Sequence, residues 1–196
     1  MSIPPLGQFI SELALRLPAD FAASALMLDL AAPKAVPRRL PVCRFWDAAV
    51  TGGGSLLAPL AALEPQLRWI QNPNYVAAPP SPGFLDNYGY AVLAGPGGLV
   101  ESEGVALGLL LLGPGIHYPS HRHPALEIYV VLSGEAVWQK AAEPWRREGP
   151  GAVIRHESMV PHATRSLAQP LLAAYLWRGD LATHARLIAK TPPSRL

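Results

Sequence analysis

Gly115-Ile-His117-Tyr118-Pro-Ser-His121-Arg-His123-Pro-Ala-Leu-Glu127-Ile-Tyr129-Val-Val-Leu-Ser-Gly134 is the stretch on which the reading of this sequence turns. His121, His123, Glu127 and Tyr129 are separated by even numbers of residues, so in an extended chain they share one face. Two imidazoles and a carboxylate on an inward face supply three ligands for one divalent transition metal ion. The mixed nitrogen and oxygen set suits Zn, Fe, Mn, Ni or Co rather than a thiolate-seeking ion. Burying several ionisable groups together is costly without a metal. His117 and His184 read as structural or exposed.

On either side of this stretch the chain reads as short strands and turns. Val105–Leu112 is a buried strand candidate, followed by 127–132, 135–139, 152–155 and 171–177, with turns at Ser133-Gly134 and Gly149-Pro150-Gly151. Strands at this spacing predict a sandwich or barrel. Upstream the pattern changes. Phe9, Ile10, Leu13, Leu15 and Leu17 recur at near-helical spacing over Leu6–Leu17. Pro18 breaks that pattern, and Asp20 is placed to cap a second helix reaching about Leu30. Residues 32–41 read as an irregular link, Ser55–Ile70 as a further helix, and 71–98 as loops with short strands.

The formal charge is only +2 and the basic residues are scattered, so there is no basic stripe of the kind a nucleic-acid partner needs. Cys43 is the only cysteine, which excludes an intramolecular disulfide. The longest apolar run is far short of the ~20 residues that span a bilayer. The N-terminus has no basic segment ahead of its apolar residues, and Glu12 and Arg16 interrupt them, unlike a signal peptide. The expected location is the cytoplasm, with no membrane partner.

The quoted stretch resembles the first cupin motif residue for residue: Gly115, five residues, His121-x-His123, three residues, Glu127, six residues, Gly134. Pro150-Gly151 and Pro161-His162 resemble a looser second motif. The resemblance implies that His162 is the fourth ligand, contributed by a neighbouring strand; His156 is a rival for that position. It also implies a fold that is mainly β, a single cupin jelly-roll barrel over residues 71–190 behind an α-helical N-terminal extension over 1–70. Cupins are commonly dimers, and the N-terminal helices offer a surface for a homodimer.

Tyr118 and Tyr129 flank the ligands. A phenol titrates near 10, and a cation close by stabilises phenolate, making a general base. Tyr118-Pro-x-His-x-His-x-x-x-Glu-x-Tyr129 resembles the cupin lyases that cleave dimethylsulfoniopropionate (DMSP). So do Trp69-Ile-Gln-Asn-Pro-Asn-Tyr75, Asn87-Tyr88-Gly89-Tyr90 and Tyr175-Leu-Trp177-Arg-Gly-Asp180. This resemblance implies β-elimination to dimethyl sulfide and acrylate. Tyr129 is the implied base, Tyr118 the orienting residue or alternative base, and Trp177, Tyr75, Tyr88 and Tyr90 candidates to cage the sulfonium by cation–π attraction. The competing readings are a lyase-like cupin acting on another small carboxylate, an Fe(II) cupin dioxygenase, and a binding cupin without turnover.

Overall fold

The apolar run Val105–Leu112 forms a strand in which every residue is buried. A strand reads as continuously apolar when both faces of its sheet are covered, and both are here. The computed structural model describes residues 4–30, 35–52 and 54–188; part of the link expected over residues 32–41 lies outside them. Five short helices, α1 (Pro4–Ala14), α2 (Ala19–Leu26), α3 (Trp46–Val50), α4 (Leu57–Leu63) and α5 (Pro73–Ala77), accompany eleven strands. The strands are β1 (Trp69–Ile70), β2 (Tyr88–Ala94), β3 (Val105–Leu112), β4 (His117–Arg122), β5 (Leu126–Ser133), β6 (Ala136–Lys140), β7 (Arg146–Glu148), β8 (Val153–His156), β9 (His162–Ser166), β10 (Leu171–Arg178) and β11 (Arg186–Leu187).

They form two antiparallel sheets, ordered β1-β2-β3-β10-β5-β8 and β11-β4-β9-β6-β7, in the mainly β cupin architecture. One face of the six-stranded sheet lies under the helices. Leu107, Leu109 and Leu111 of β3, Ile128 and Val130 of β5, and Leu172 and Leu176 of β10 pack there with Leu6, Phe9 and Leu13 of α1 and Leu60 and Leu63 of α4. Alternate residues of the same strands point into the barrel, where the lining turns aromatic. The helical segment reaches the sheet directly, since β1 pairs with β2 as its edge strand.

Local chemistry explains where the helical reading and the structure part. Helix α1 stops at Ala14, and Pro18 stands at the N-cap of α2 with no side-chain cap; Asp20 lies in the first turn. Its carboxylate accepts from Arg178 Nη1 at 2.9 Å, tying α2 to the end of β10. The helix expected over Ser55–Ile70 ends at Leu63, then passes through a 3-10 turn with Pro65 into β1. Within the stretch read as loop, Asn72 caps α5 by accepting from the Asn74 amide at 2.9 Å.

Candidate metal centre and substrate cavity

The quoted motif is not one strand. It runs along β4 to Arg122, turns at His123–Ala125 and re-enters as β5, so His121 and Glu127 belong to opposite sheets. Even spacing therefore places them together by closing the barrel, not by sharing a strand face. His162 arrives on β9 directly opposite His121, as expected of a neighbouring strand.

Within the barrel His123, Glu127 and His162 converge, each almost wholly buried, with one ligand atom apiece lying within 4.8 Å of the others. Glu127 Oε2 stands 3.2 Å from His123 Nε2 and 3.2 Å from His162 Nε2. The far nitrogens are already engaged by backbone carbonyls: His123 Nδ1 with Ala125 O at 3.1 Å and His162 Nδ1 with Val160 O at 3.0 Å. A proton donated to each carbonyl leaves both Nε2 atoms as bare lone pairs facing a carboxylate oxygen. His162 Nε2 has no hydrogen-bond partner. Three converging lone pairs repel one another until a cation sits among them, so this donor set fits one divalent transition metal ion.

His121 stands outside that group. Its Nδ1 contacts Pro119 O at 2.8 Å and its ring stacks on Tyr118 at 4.0 Å. Burial, and then the neighbouring His162, keeps it neutral. Two imidazoles flank His162: His121 inclined at 66° and 4.1 Å away, and His156 parallel within 8° at 4.0 Å. His156 is fully buried, lies opposite Glu127 across β5 and β8, and neither of its ring nitrogens has a partner.

A cavity of about 300 Å³ opens beside the cluster. Glu127, Tyr129 and Trp177 border it on the metal side, Tyr118, Tyr88 and Tyr90 line its walls, and His184 lies among its lining residues on an exposed stretch. Among the described residues no lysine or arginine lines it. Tyr129 packs against Trp138 and His156, and burial, followed by the charge of Glu127, lifts its phenol well above the usual tyrosine range. Burial, then Tyr75 and Tyr88, does the same to Tyr118. Burial pushes Tyr90 to about 12.

Two cage candidates make further contacts. Tyr75 does not line the cavity; it is fully buried behind Tyr118, whose hydroxyl donates to the Tyr75 hydroxyl at 3.2 Å, and it packs on Phe84 and Tyr88. Trp177 lines the cavity but spends its Nε1–H on Glu127 Oε1 at 2.5 Å and stacks on His123 at 4.2 Å. Trp177 lies opposite Glu127 on paired strands 50 residues apart in sequence, a register that the sequence does not display. Sequence reasoning also passed over Tyr175, a further cavity-lining aromatic, and the burial of His156. The one signal available was the glycine within β3, Gly108, which a buried strand uses where another group approaches closely.

Among the described residues no helix is long and apolar enough to cross a membrane. A family model described as dimethylsulfoniopropionate lyase matches residues 19–173. Over 100 residues the chain is 44% identical to the dimethylsulfoniopropionate lyase DddQ of Ruegeria pomeroyi, an alignment covering 51% of this chain and 50% of that protein. By sequence the chain thus spans about half the length of that curated relative. The crystal structure of DddQ from Ruegeria pomeroyi DSS-3 superposes with a TM-score of 0.79 at 32% identity, covering 94% of this chain and 96% of that one. A second structure, from work on the DMSP lyases RdDddP and RnDddQII, superposes with a TM-score of 0.77 at 25% identity, covering 95% and 98%. The family match runs from α2 through the ligand cluster to the start of β10, and the chain belongs to the dimethylsulfoniopropionate lyase family.

Proposed function

We propose that this protein is a metal-dependent carbon–sulfur lyase that converts DMSP to dimethyl sulfide and acrylate by β-elimination. The observation that carries the proposal is the convergence of His123 Nε2, His162 Nε2 and Glu127 Oε2 at the edge of a cavity lined by tyrosines. A substrate with a carboxylate at one end and a cation at the other suits that polarity: an ion held by the cluster would take the carboxylate, and the cation meets aromatic faces.

His123, Glu127 and His162 hold the ion, with His121 as the fourth donor. A ligand imidazole points its lone pair within its ring plane. A ring stacked parallel to His162 confines its lone pair to a parallel plane that does not meet that of His162, whereas one inclined to it can converge on the same ion; this favours His121 over His156. The bound ion supplies Lewis acidity, polarising the substrate carboxylate and acidifying the adjacent carbon–hydrogen bond.

Tyr129, in its phenolate form, would take that proton on its phenolic oxygen. The carbon–hydrogen pair becomes the new double bond, and the carbon–sulfur pair leaves with dimethyl sulfide. Burial and Glu127 hold Tyr129 as a neutral phenol, so its use as a base depends on the Glu127 charge being compensated. Tyr118, locked onto Tyr75, orients the substrate. Tyr88 and Tyr90 face the sulfonium, while Trp177 serves the cavity wall and the ligand cluster together.

The test is headspace detection of dimethyl sulfide from metal-loaded protein given DMSP, with His123→Ala, Tyr129→Phe and Tyr118→Phe alongside. The expected result is release by wild type, none above background from His123→Ala, and a fall of roughly 10²–10⁴-fold in Tyr129→Phe. Wild-type protein that binds metal but releases nothing overturns the proposal. A larger loss in Tyr118→Phe than in Tyr129→Phe moves the base to Tyr118.

A further inference from the structure

Gly108 is out of place by composition. It sits mid-strand in Val-Ala-Leu-Gly-Leu-Leu-Leu-Leu, where glycine weakens a strand and gives nothing to pack. A Cβ at this position would overlap the Tyr175 ring carbon Cζ and hydroxyl and come within 2.5 Å of the Ala91 carbonyl oxygen. The glycine is there because the Tyr175 ring lies on top of it.

The register shows what that achieves. Tyr129, Tyr175, Gly108 and Val92 are successive cross-strand partners on β5, β10, β3 and β2. Tyr175 thus stands one strand from the proposed base and leans away from it, across Gly108. Its ring centroid is 6.4 Å from those of Tyr129 and Tyr90 and 6.1 Å from that of Trp177. Burial, then Tyr90, keeps its phenol neutral. Ala106, also on β3, joins Tyr175 in lining the cavity.

We propose that Tyr175, its ring tip seated over Gly108, is the specificity-determining residue that sets the largest onium head group the cavity accepts. This rests on the reading of the substrate as a small carboxylate with a cationic sulfonium end. The ring forms the wall against which the alkyl groups on sulfur rest, so its removal lengthens the cavity.

The experiment uses metal-loaded protein and a graded series of 3-(dialkylsulfonio)propionates with methyl, ethyl and propyl groups, read separately by calorimetric binding and by release of the dialkyl sulfide. Wild type is expected to discriminate against diethyl relative to dimethyl. Tyr175→Ala relaxes that discrimination about 10-fold or more, since a methylene in an apolar pocket carries that order of selectivity. Tyr175→Phe keeps it. Tyr175→Leu, a milder truncation, relaxes it by less and serves if Tyr175→Ala does not fold. An unchanged size order in folded Tyr175→Ala, or in folded Tyr175→Leu, overturns the inference and leaves the lyase reading intact. Wild-type protein that binds the series in size order but releases no sulfide overturns the lyase reading alone, and wild-type protein that binds none of the series overturns both.

Discussion

The two faces of the six-stranded sheet are built from the same strands and differ in nearly every property that matters. Under the helices, β5 and β10 present Ile128, Val130, Leu132, Leu172, Ala174 and Leu176, all aliphatic and all in one cluster with the N-terminal segment. One residue along each strand, the inner face carries Glu127, Tyr129, Tyr175 and Trp177, with hydroxyls, a carboxylate and an indole N–H. The aliphatic face gains stability from burial and tolerates any well-packed hydrophobe. The aromatic face gives up that freedom, since each polar atom buried there needs a partner. Glu127 shows the cost and its resolution: one oxygen accepts from Trp177, and the other faces the two histidines that make a cation necessary.

Neighbouring residues break the comparison most sharply. Glu127→Ala removes a proposed ligand and is expected to abolish both stoichiometric metal binding, measured by metal analysis of dialysed protein, and turnover, measured by dimethyl sulfide release. Ile128→Ala, one position along and fully buried on the other face, is expected to cost about 2–5 kcal/mol of stability by urea unfolding. Below its unfolding transition that variant keeps its metal and its rate. Loss of metal from Ile128→Ala would show that the faces are coupled rather than separate.

Trp177→Phe sharpens the comparison at smaller amplitude. The stacking on His123 can persist in phenylalanine, but the hydrogen bond to Glu127 Oε1 cannot. Partners that orient a ligand are worth about 10–100-fold in metal affinity when removed. Competition against a chelator is expected to show a loss in that range. A residue acting only as an aromatic wall for substrate would leave metal affinity unchanged and alter KM instead.

Much of the aliphatic face was legible because burial on both sides writes itself into composition. Val105–Leu112 reads as β3 residue for residue, and β5, β8 and β10 fall within a residue or so of their expected ends. The five-stranded sheet was less legible. His117–Arg122 and His162–Ser166 carry histidines and arginines whose presence reflects the site and the surface rather than strand periodicity, so β4 and β9 show no alternating signal. The ligand types were readable because His-x-His with an in-phase Glu is rare without a metal. Their geometry was not, because the turn at His123–Ala125 transfers the chain between sheets and parity along the sequence cannot register that. Trp177 against Glu127, Tyr175 against Gly108 and His156 against Glu127 are all matters of register. Sequence patterns give strand faces; pairing decides which side chains meet.

His156 is where the aromatic face departs furthest from its own rule, since both ring nitrogens are buried without partners while the ring stacks on His162. An unsatisfied buried polar group costs about 1–3 kcal/mol, and phenylalanine supplies the same flat contact without it. His156→Phe is therefore expected to leave the stability of the metal-free protein at neutral pH unchanged or higher by up to about that amount. The difference should widen in acid. Burial, then the nearby His162, lowers the folded pKa of His156 from 6.5 to about 3. Across that window the unfolded chain binds a proton at this position that the folded protein refuses, so stability falls with falling pH and the decline ends near pH 3. Urea unfolding of the metal-free protein between pH 7 and 4 should show a shallower loss in His156→Phe than in wild type. Parallel pH profiles would mean that an internal water or a rearranged ring satisfies His156, and that the inner face holds no unsatisfied histidine.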